Sequence, residues 1–89
     1  MKILYTEKFS KDLDSIAIDE KLKKRLLQLL QELQQKSSLA EIRNIRKIHG
    51  YKGYFRVRMG DYCVGVKATN DEVAMLRFLH RKDIYKKFP

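Results

Sequence analysis

The run Tyr54-Phe55-Arg56-Val57-Arg58-Met59-Gly60-Asp61-Tyr62-Cys63-Val64-Gly65-Val66-Lys67 decides the fold. Phe55, Val57 and Met59 alternate with Tyr54, Arg56 and Arg58. After Gly60-Asp61, Tyr62, Val64 and Val66 alternate with Cys63, Gly65 and Lys67. A period of two is that of a half-buried strand, and Gly-Asp between two such runs reads as a two-residue hairpin turn. Around that turn Met59 pairs with Tyr62, Arg58 with Cys63, Val57 with Val64 and Arg56 with Gly65. Phe55, Val57, Met59, Tyr62, Val64 and Val66 then share a face bound for the core. Arg56, Arg58, Cys63, Gly65 and Lys67 share the other. Two arginines and a lysine, beside a glycine that leaves room, suit a phosphate. An ordinary solvated sheet face carries the same alternation.

Downstream, Asn70-Asp71 signals another turn. Residues 72–79 (Glu-Val-Ala-Met-Leu-Arg-Phe-Leu) form a strand apolar on both faces, which places it inside the sheet. Upstream, residues 2–5 make a short first strand and Thr6 caps a helix whose Phe9, Leu13 and Ile16 share a face. Asp19 caps the next helix, with Glu20 in its first turn. Leu22, Leu26, Leu29, Leu30 and Leu33 stripe one side of it, and Lys21, Lys24, Gln28, Gln31 and Gln35 lie mostly opposite. Ser37-Ser38 ends it, and Ser38 with Glu41 fits a capping box for one further turn. From Ile45 the period changes to two, and Asp83 to Phe88 closes with a helical turn. The expectation is an α+β fold. A single domain over residues 1–89 packs a helical hairpin on an antiparallel sheet of about four strands.

Composition narrows the function. Twenty Lys and Arg against eleven Asp and Glu leave a net charge of +9. Residues 1–40 hold eight basic and six acidic side chains, residues 41–89 twelve and five. A basic C-terminal half points to a polyanion or an acidic protein partner, although charge also serves solubility. No apolar stretch approaches the roughly 18 residues of a membrane span, and the N-terminus lacks the apolar core of a signal peptide. The expectation is a cytoplasmic protein with no membrane partner. A lone cysteine, Cys63, excludes an internal disulfide framework. No HxH or HExxH pattern, glycine-rich phosphate loop or Ser-His-Asp signature appears, so neither a metal nor a cofactor is expected.

The C-terminal run His80-Arg81-Lys82-Asp83-Ile84-Tyr85-Lys86-Lys87-Phe88-Pro89 follows the last strand. It brings a proton-transfer group (His80), a guanidinium (Arg81) and a phenol (Tyr85) to one end of the sheet. His49, before Gly50, reads as a loop residue.

The string Lys47-Ile48-His49-Gly50-Tyr51-Lys52-Gly53-Tyr54-Phe55-Arg56-Val57-Arg58-Met59-Gly60-Asp61-Tyr62, followed by His80-Arg81-Lys82-Asp83-Ile84-Tyr85, resembles the paired motifs of RelE/ParE-superfamily toxins. The resemblance extends to the length, the element order and the start Tyr5-Thr6-Glu7-Lys8-Phe9. It implies the toxin half of a type II toxin–antitoxin pair, held in a hetero-oligomer by an acidic antitoxin encoded alongside. RelE-type members are ribosome-dependent mRNA endonucleases that need no metal, in which the ribose 2′-OH attacks the adjacent phosphate. Carried onto this sequence, the family's catalytic positions are Arg56, Arg58, Arg81 and Tyr85. Lys52, Lys67, Arg77, His80 and Lys82 are the RNA-binding candidates. Arginine stays protonated and suits charge stabilisation, so Tyr85 or His80 is the proton-transfer group, or Tyr85 stacks on a base. One departure stands out. The family motif continues Gly-Asp-Tyr-Arg, and here the last position is Cys63. On the hairpin register that removes a cation from an exposed patch, for which Lys67 or Arg77 is the candidate substitute. The loss favours an attenuated homologue that mainly binds its antitoxin, or a ParE-like toxin that binds DNA gyrase without catalysis.

Overall fold

A computed structural model describes residues 1–36 and 38–89. The predicted break at Ser37-Ser38 therefore falls partly outside the described residues. The strands are β1 (Lys2–Tyr5), β2 (Ile45–Lys47), β3 (Tyr54–Met59), β4 (Tyr62–Thr69) and β5 (Glu72–His80). The helices are α1 (Glu7–Ser15), α2 (Glu20–Gln35) and α3 (Arg81–Lys87), with a 3-10 turn at Leu39–Glu41. No helix among the described residues is long and apolar enough to cross a membrane.

The α+β architecture is as the sequence predicts, with a sheet one strand larger. Its order is β1-β5-β4-β3-β2. β1 runs parallel to β5, so the sheet is mixed rather than purely antiparallel. The hairpin register agrees pair for pair with the sequence reading, from Met59 opposite Tyr62 to Arg56 opposite Gly65. Gly60 takes φ +61° at the first turn position, where a type II′ hairpin needs glycine.

Capping fixes the helix starts. Thr6 Oγ1 accepts from the Phe9 N–H at 3.2 Å and donates to the Met75 carbonyl at 2.8 Å, which starts α1 and joins it to β5. Asp19 Oδ1 accepts from the Leu22 N–H at 2.8 Å. Ser38 Oγ caps the short turn through the Ala40 N–H. α3 starts at Arg81, two residues before the predicted turn, because His80 Nδ1 accepts from the Lys82 N–H.

Phe9 and the α2 stripe of Leu26, Leu29 and Leu33 bury Val57, Met59, Val64, Val66, Val73, Met75 and Phe78. A register shift at Gly65/Val66 breaks the alternation of β5, so Met75 and Phe78 both face this core. A second, smaller core lies across the sheet. Cys63, Leu79, Ile84 and Phe88 are buried there, with Ile48, Tyr54 and Leu76 packed against them. β5 is apolar on both faces because each face has its own cover.

One buried-edge ion pair ties α1 to β5. Arg77 donates Nε to Asp12 Oδ2 at 2.8 Å and Nη2 to Oδ1 at 3.1 Å, and the Phe78 N–H donates to the same carboxylate at 3.0 Å. Partial burial works against the Asp12 charge. The hydrogen bonds from Arg77 and Phe78 and the charges of Arg77 and Lys87 outweigh it and hold the carboxyl below its ordinary range. A lowered folded-state pKa adds stability at pH values above the unfolded carboxylate pKa, and that stability is lost as pH falls through the folded value. Asp12→Asn is therefore expected to lose about 1–3 kcal/mol at neutral pH. Its deficit against the wild type should shrink below about pH 4. Melting temperatures of the two proteins across pH 2–7 check this, and a deficit independent of pH would remove the electrostatic explanation.

Candidate functional site

The outer face of the β2–β3–β4 edge holds a cleft of about 520 Å³, lined by Asn44, Ile45, Arg46, Arg56, Arg58, Cys63 and Tyr85. The alternation of β3 places Arg56 and Arg58 on this face. Arg46 reaches it from β2, directly across from Arg56. Arg58 is held by its own turn, with Nε donating to the Gly60 carbonyl at 3.0 Å. Its N–H donates to the carbonyl of Asn44, a residue at φ +62° where β2 begins. Tyr85 comes from α3 and remains 65% exposed. The Arg56 guanidinium lies 4.4 Å from the centre of its ring, a cation–π contact that orders both side chains.

Cys63 forms the floor. The sequence places it on an exposed patch that would accept an arginine. The structure corrects this: Cys63 is 2% exposed, covered by Ile84 and Phe88. Strand alternation names the face, and α3 folding back over that face does the covering. Burial pushes the thiol pKa up against the pull of Arg56, Arg58 and Arg81, so the sulfur stays protonated at neutral pH. Arg81, the first residue of α3, is exposed and is not among the residues that line the cleft. Gly65 is corrected likewise. Its missing side chain leaves room for the Phe88 ring, whose atoms lie 2.7 Å from where a Cβ would stand, and not for a phosphate.

Among the described residues, no carboxylate lies within 4.0 Å of Arg46, Arg56, Arg58 or Arg81. Like charges placed directly across a ladder repel. Three guanidinium groups around one concavity, without a protein counter-charge, make a site whose electrostatics favour an anion.

Comparison with known proteins reads this architecture. Residues 3–85 match a family model described as the ParE toxin of a type II toxin–antitoxin system. The chain belongs to the RelE/ParE superfamily of type II toxins. Over 90 residues, covering all of both chains, the toxin is 38% identical to Toxin RelE3 of Methanocaldococcus jannaschii. It superposes with a TM-score of 0.81 on a chain of the RelB-RelE antitoxin-toxin complex from Methanococcus jannaschii, at 37% identity, covering 97% of this chain and 99% of the other. The archaeal RelE-RelB complex from Pyrococcus horikoshii shares the fold, with a TM-score of 0.71 at 20% identity over 90% of this chain and 93% of the other.

The remaining candidates of the toxin divide. Arg77 is committed to Asp12, so it does not stand in for the absent arginine at position 63. Lys67 lies 5.2 Å from the Tyr54 ring centre and, with Lys52, borders a separate groove with an apolar floor. It too is not part of the arginine cleft. His80 stands opposite Tyr62 and packs edge-on against its ring, on the face of the sheet away from the cleft. Lys82 is exposed in the first turn of α3. Arg46 and Asn44 are cleft residues that sequence reasoning missed. The period of two beginning at Ile45 was the available signal for Arg46, but it does not say which strand β2 joins.

Proposed function

We propose that this toxin inhibits translation by cleaving mRNA on the ribosome, with the scissile phosphate seated in the arginine cleft. The observation that carries this is the convergence of Arg46, Arg56 and Arg58 beside an exposed phenol, with no carboxylate partner among the described residues. The ribose 2′-oxygen attacks the adjacent phosphorus. A 2′-O–P bond forms and the P–O5′ bond breaks, which leaves a 2′,3′-cyclic phosphate and a 5′-hydroxyl. One proton leaves the 2′-OH and one reaches the departing 5′-oxygen. Negative charge gathers on the non-bridging oxygens in the transition state, where fixed guanidinium donors stabilise it. Arg81, at the start of α3, supports the same charge from the helix side. Tyr85, the phenol at the cleft, is the group placed for proton transfer or for stacking on the neighbouring base. Cys63 leaves the cleft without the arginine of the family motif, and Arg46 brings a guanidinium from the opposite wall.

The matching of RelE chains seated in RelB complexes supports an acidic RelB-like antitoxin as the partner, in a hetero-oligomer that silences the toxin. The charge of +9 favours rapid, steered association with it. Primer extension on mRNA after induction tests the activity. New ends within codons, carrying a cyclic phosphate on the upstream fragment, are expected. A ParE-like toxin that binds DNA gyrase is the second reading, favoured by the ParE description of the matching family and by the arginine lost at Cys63. Growth arrest with intact mRNA and inhibited supercoiling would select it.

A further inference from the structure

A second concavity, of about 230 Å³, adjoins the arginine cleft on the side of α2. Its polar walls are Arg25, Gln28 and Glu32 of α2, Arg43 and Asn44 ahead of β2, and Arg58. Asn44 and Arg58 line both concavities, so the two are continuous across the Arg58 guanidinium. Arg25 reaches from α2 toward the hairpin turn, with Nη1 3.8 Å from where a Cβ on Gly60 would stand. The Gly60 carbonyl is the acceptor that holds Arg58. Arg25 and Arg43 are exposed. Of the seven arginines in the chain, only Arg77 has a carboxylate within 4.0 Å among the described residues. Glu32 lines this concavity without pairing to either arginine.

Arg25, Arg43 and Arg58 thus repeat, one step along the surface, the uncompensated arginine chemistry of the first cleft. A nucleic acid backbone is a ligand whose charges repeat along its length, and arginine binds phosphate through a two-pronged donor set. We propose that Arg25 and Arg43, with Arg58 shared, form a second phosphodiester-binding subsite that holds an RNA backbone next to the reacting phosphate. This rests on the reading of the first cleft as an RNA site. The phosphodiester belongs either to the substrate strand or to ribosomal RNA, and two assays separate them.

The full chain and its Arg25→Gln/Arg43→Gln variant are titrated against labelled single-stranded RNA of two, four and eight nucleotides, and against ribosomes carrying mRNA, each over a salt series. If the substrate strand occupies the subsite, the wild type gains affinity with RNA length. The variant then loses about tenfold or more of that gain, and its log–log salt slope falls by about 0.7 for each phosphate contact removed. If the variant loses affinity only for ribosomes, the subsite belongs to ribosomal RNA. A variant that matches the wild type in both assays overturns the subsite and leaves the cleft reading standing. A wild type that binds neither RNA overturns the cleft reading and the subsite together. Arg25→Lys/Arg43→Lys keeps the charge without the two-pronged geometry. It is expected to recover the salt slope and only part of the affinity, and equal melting temperatures for all three proteins separate binding from folding.

Discussion

Replacing Arg81 with alanine is expected to lower toxicity by about 10²–10³ while leaving the melting temperature unchanged or slightly raised. Removing one donor from a preorganised transition-state site commonly has a rate effect of that size. The stability half of the expectation comes from the position. Arg81 is the first residue of α3 and Lys82 follows it, so two cations occupy a helix N-terminus. The helix dipole disfavours positive charge there by about 0.3–1 kcal/mol. The backbone contribution of residue 81 survives substitution, because its N–H donates to the Asp61 carbonyl at 2.7 Å whatever the side chain. Its guanidinium is exposed and has no carboxylate within 4.0 Å among the described residues. An exposed cation placed against the preference of its own helix contributes little to folding. Growth assays with matched expression, together with thermal melts, check both halves. Full toxicity of a well-expressed Arg81→Ala protein would remove Arg81 from the reacting phosphate.

The parts of the fold that were legible in the sequence are those encoded locally. The β3–β4 register followed from Gly60-Asp61, because a two-residue turn leaves one pairing that keeps Phe55, Val57 and Met59 on the face of Tyr62, Val64 and Val66. The α2 stripe and the caps at Thr6 and Asp19 were legible for the same reason, since their partners lie three or four residues away. The parallel pairing of β1 with β5 joins Lys2 to Glu72, and no local pattern carries a contact across that separation. The bulge in β5 is equally silent, because it changes which residues share a face without changing composition.

The cleft follows the same division. Arg56 and Arg58 share a face by alternation alone. That Tyr85 meets Arg56 depends on α3 docking, and α3 docks because the Phe88 ring fills the space over Gly65. A period of two states which residues lie on the outer face but not whether another element covers them. That omission produced three of the errors at the site: an exposed Cys63, an open Gly65 and a free Arg77.

Restoring the family arginine is expected to harm the protein rather than improve it. On the hairpin register alone, Cys63→Arg adds a phosphate contact to an exposed patch and raises cleavage. In the folded protein the thiol lies on the floor under Ile84 and Phe88, beside Leu79. A guanidinium held on that floor is desolvated, and Arg56 and Arg58, which line the same cleft, carry charge of the same sign. Burying an unpaired charge and overfilling a packed space each destabilise by about 1–3 kcal/mol or more. In a domain of this size that lowers the melting temperature by more than about 10 °C. The route of relief is for α3 to lift, which carries Tyr85 away from Arg56 and opens the small core. Toxicity should therefore fall together with stability, whereas Cys63→Ala, which removes only the sulfur, should keep most of both. Thermal melts of the two variants and of the wild type, alongside mRNA cleavage, distinguish the outcomes. An unchanged melting temperature with cleavage raised tenfold would mean that the new side chain escapes past Tyr85 into the cleft, and that α3 covers position 63 too loosely to bar an arginine from that floor.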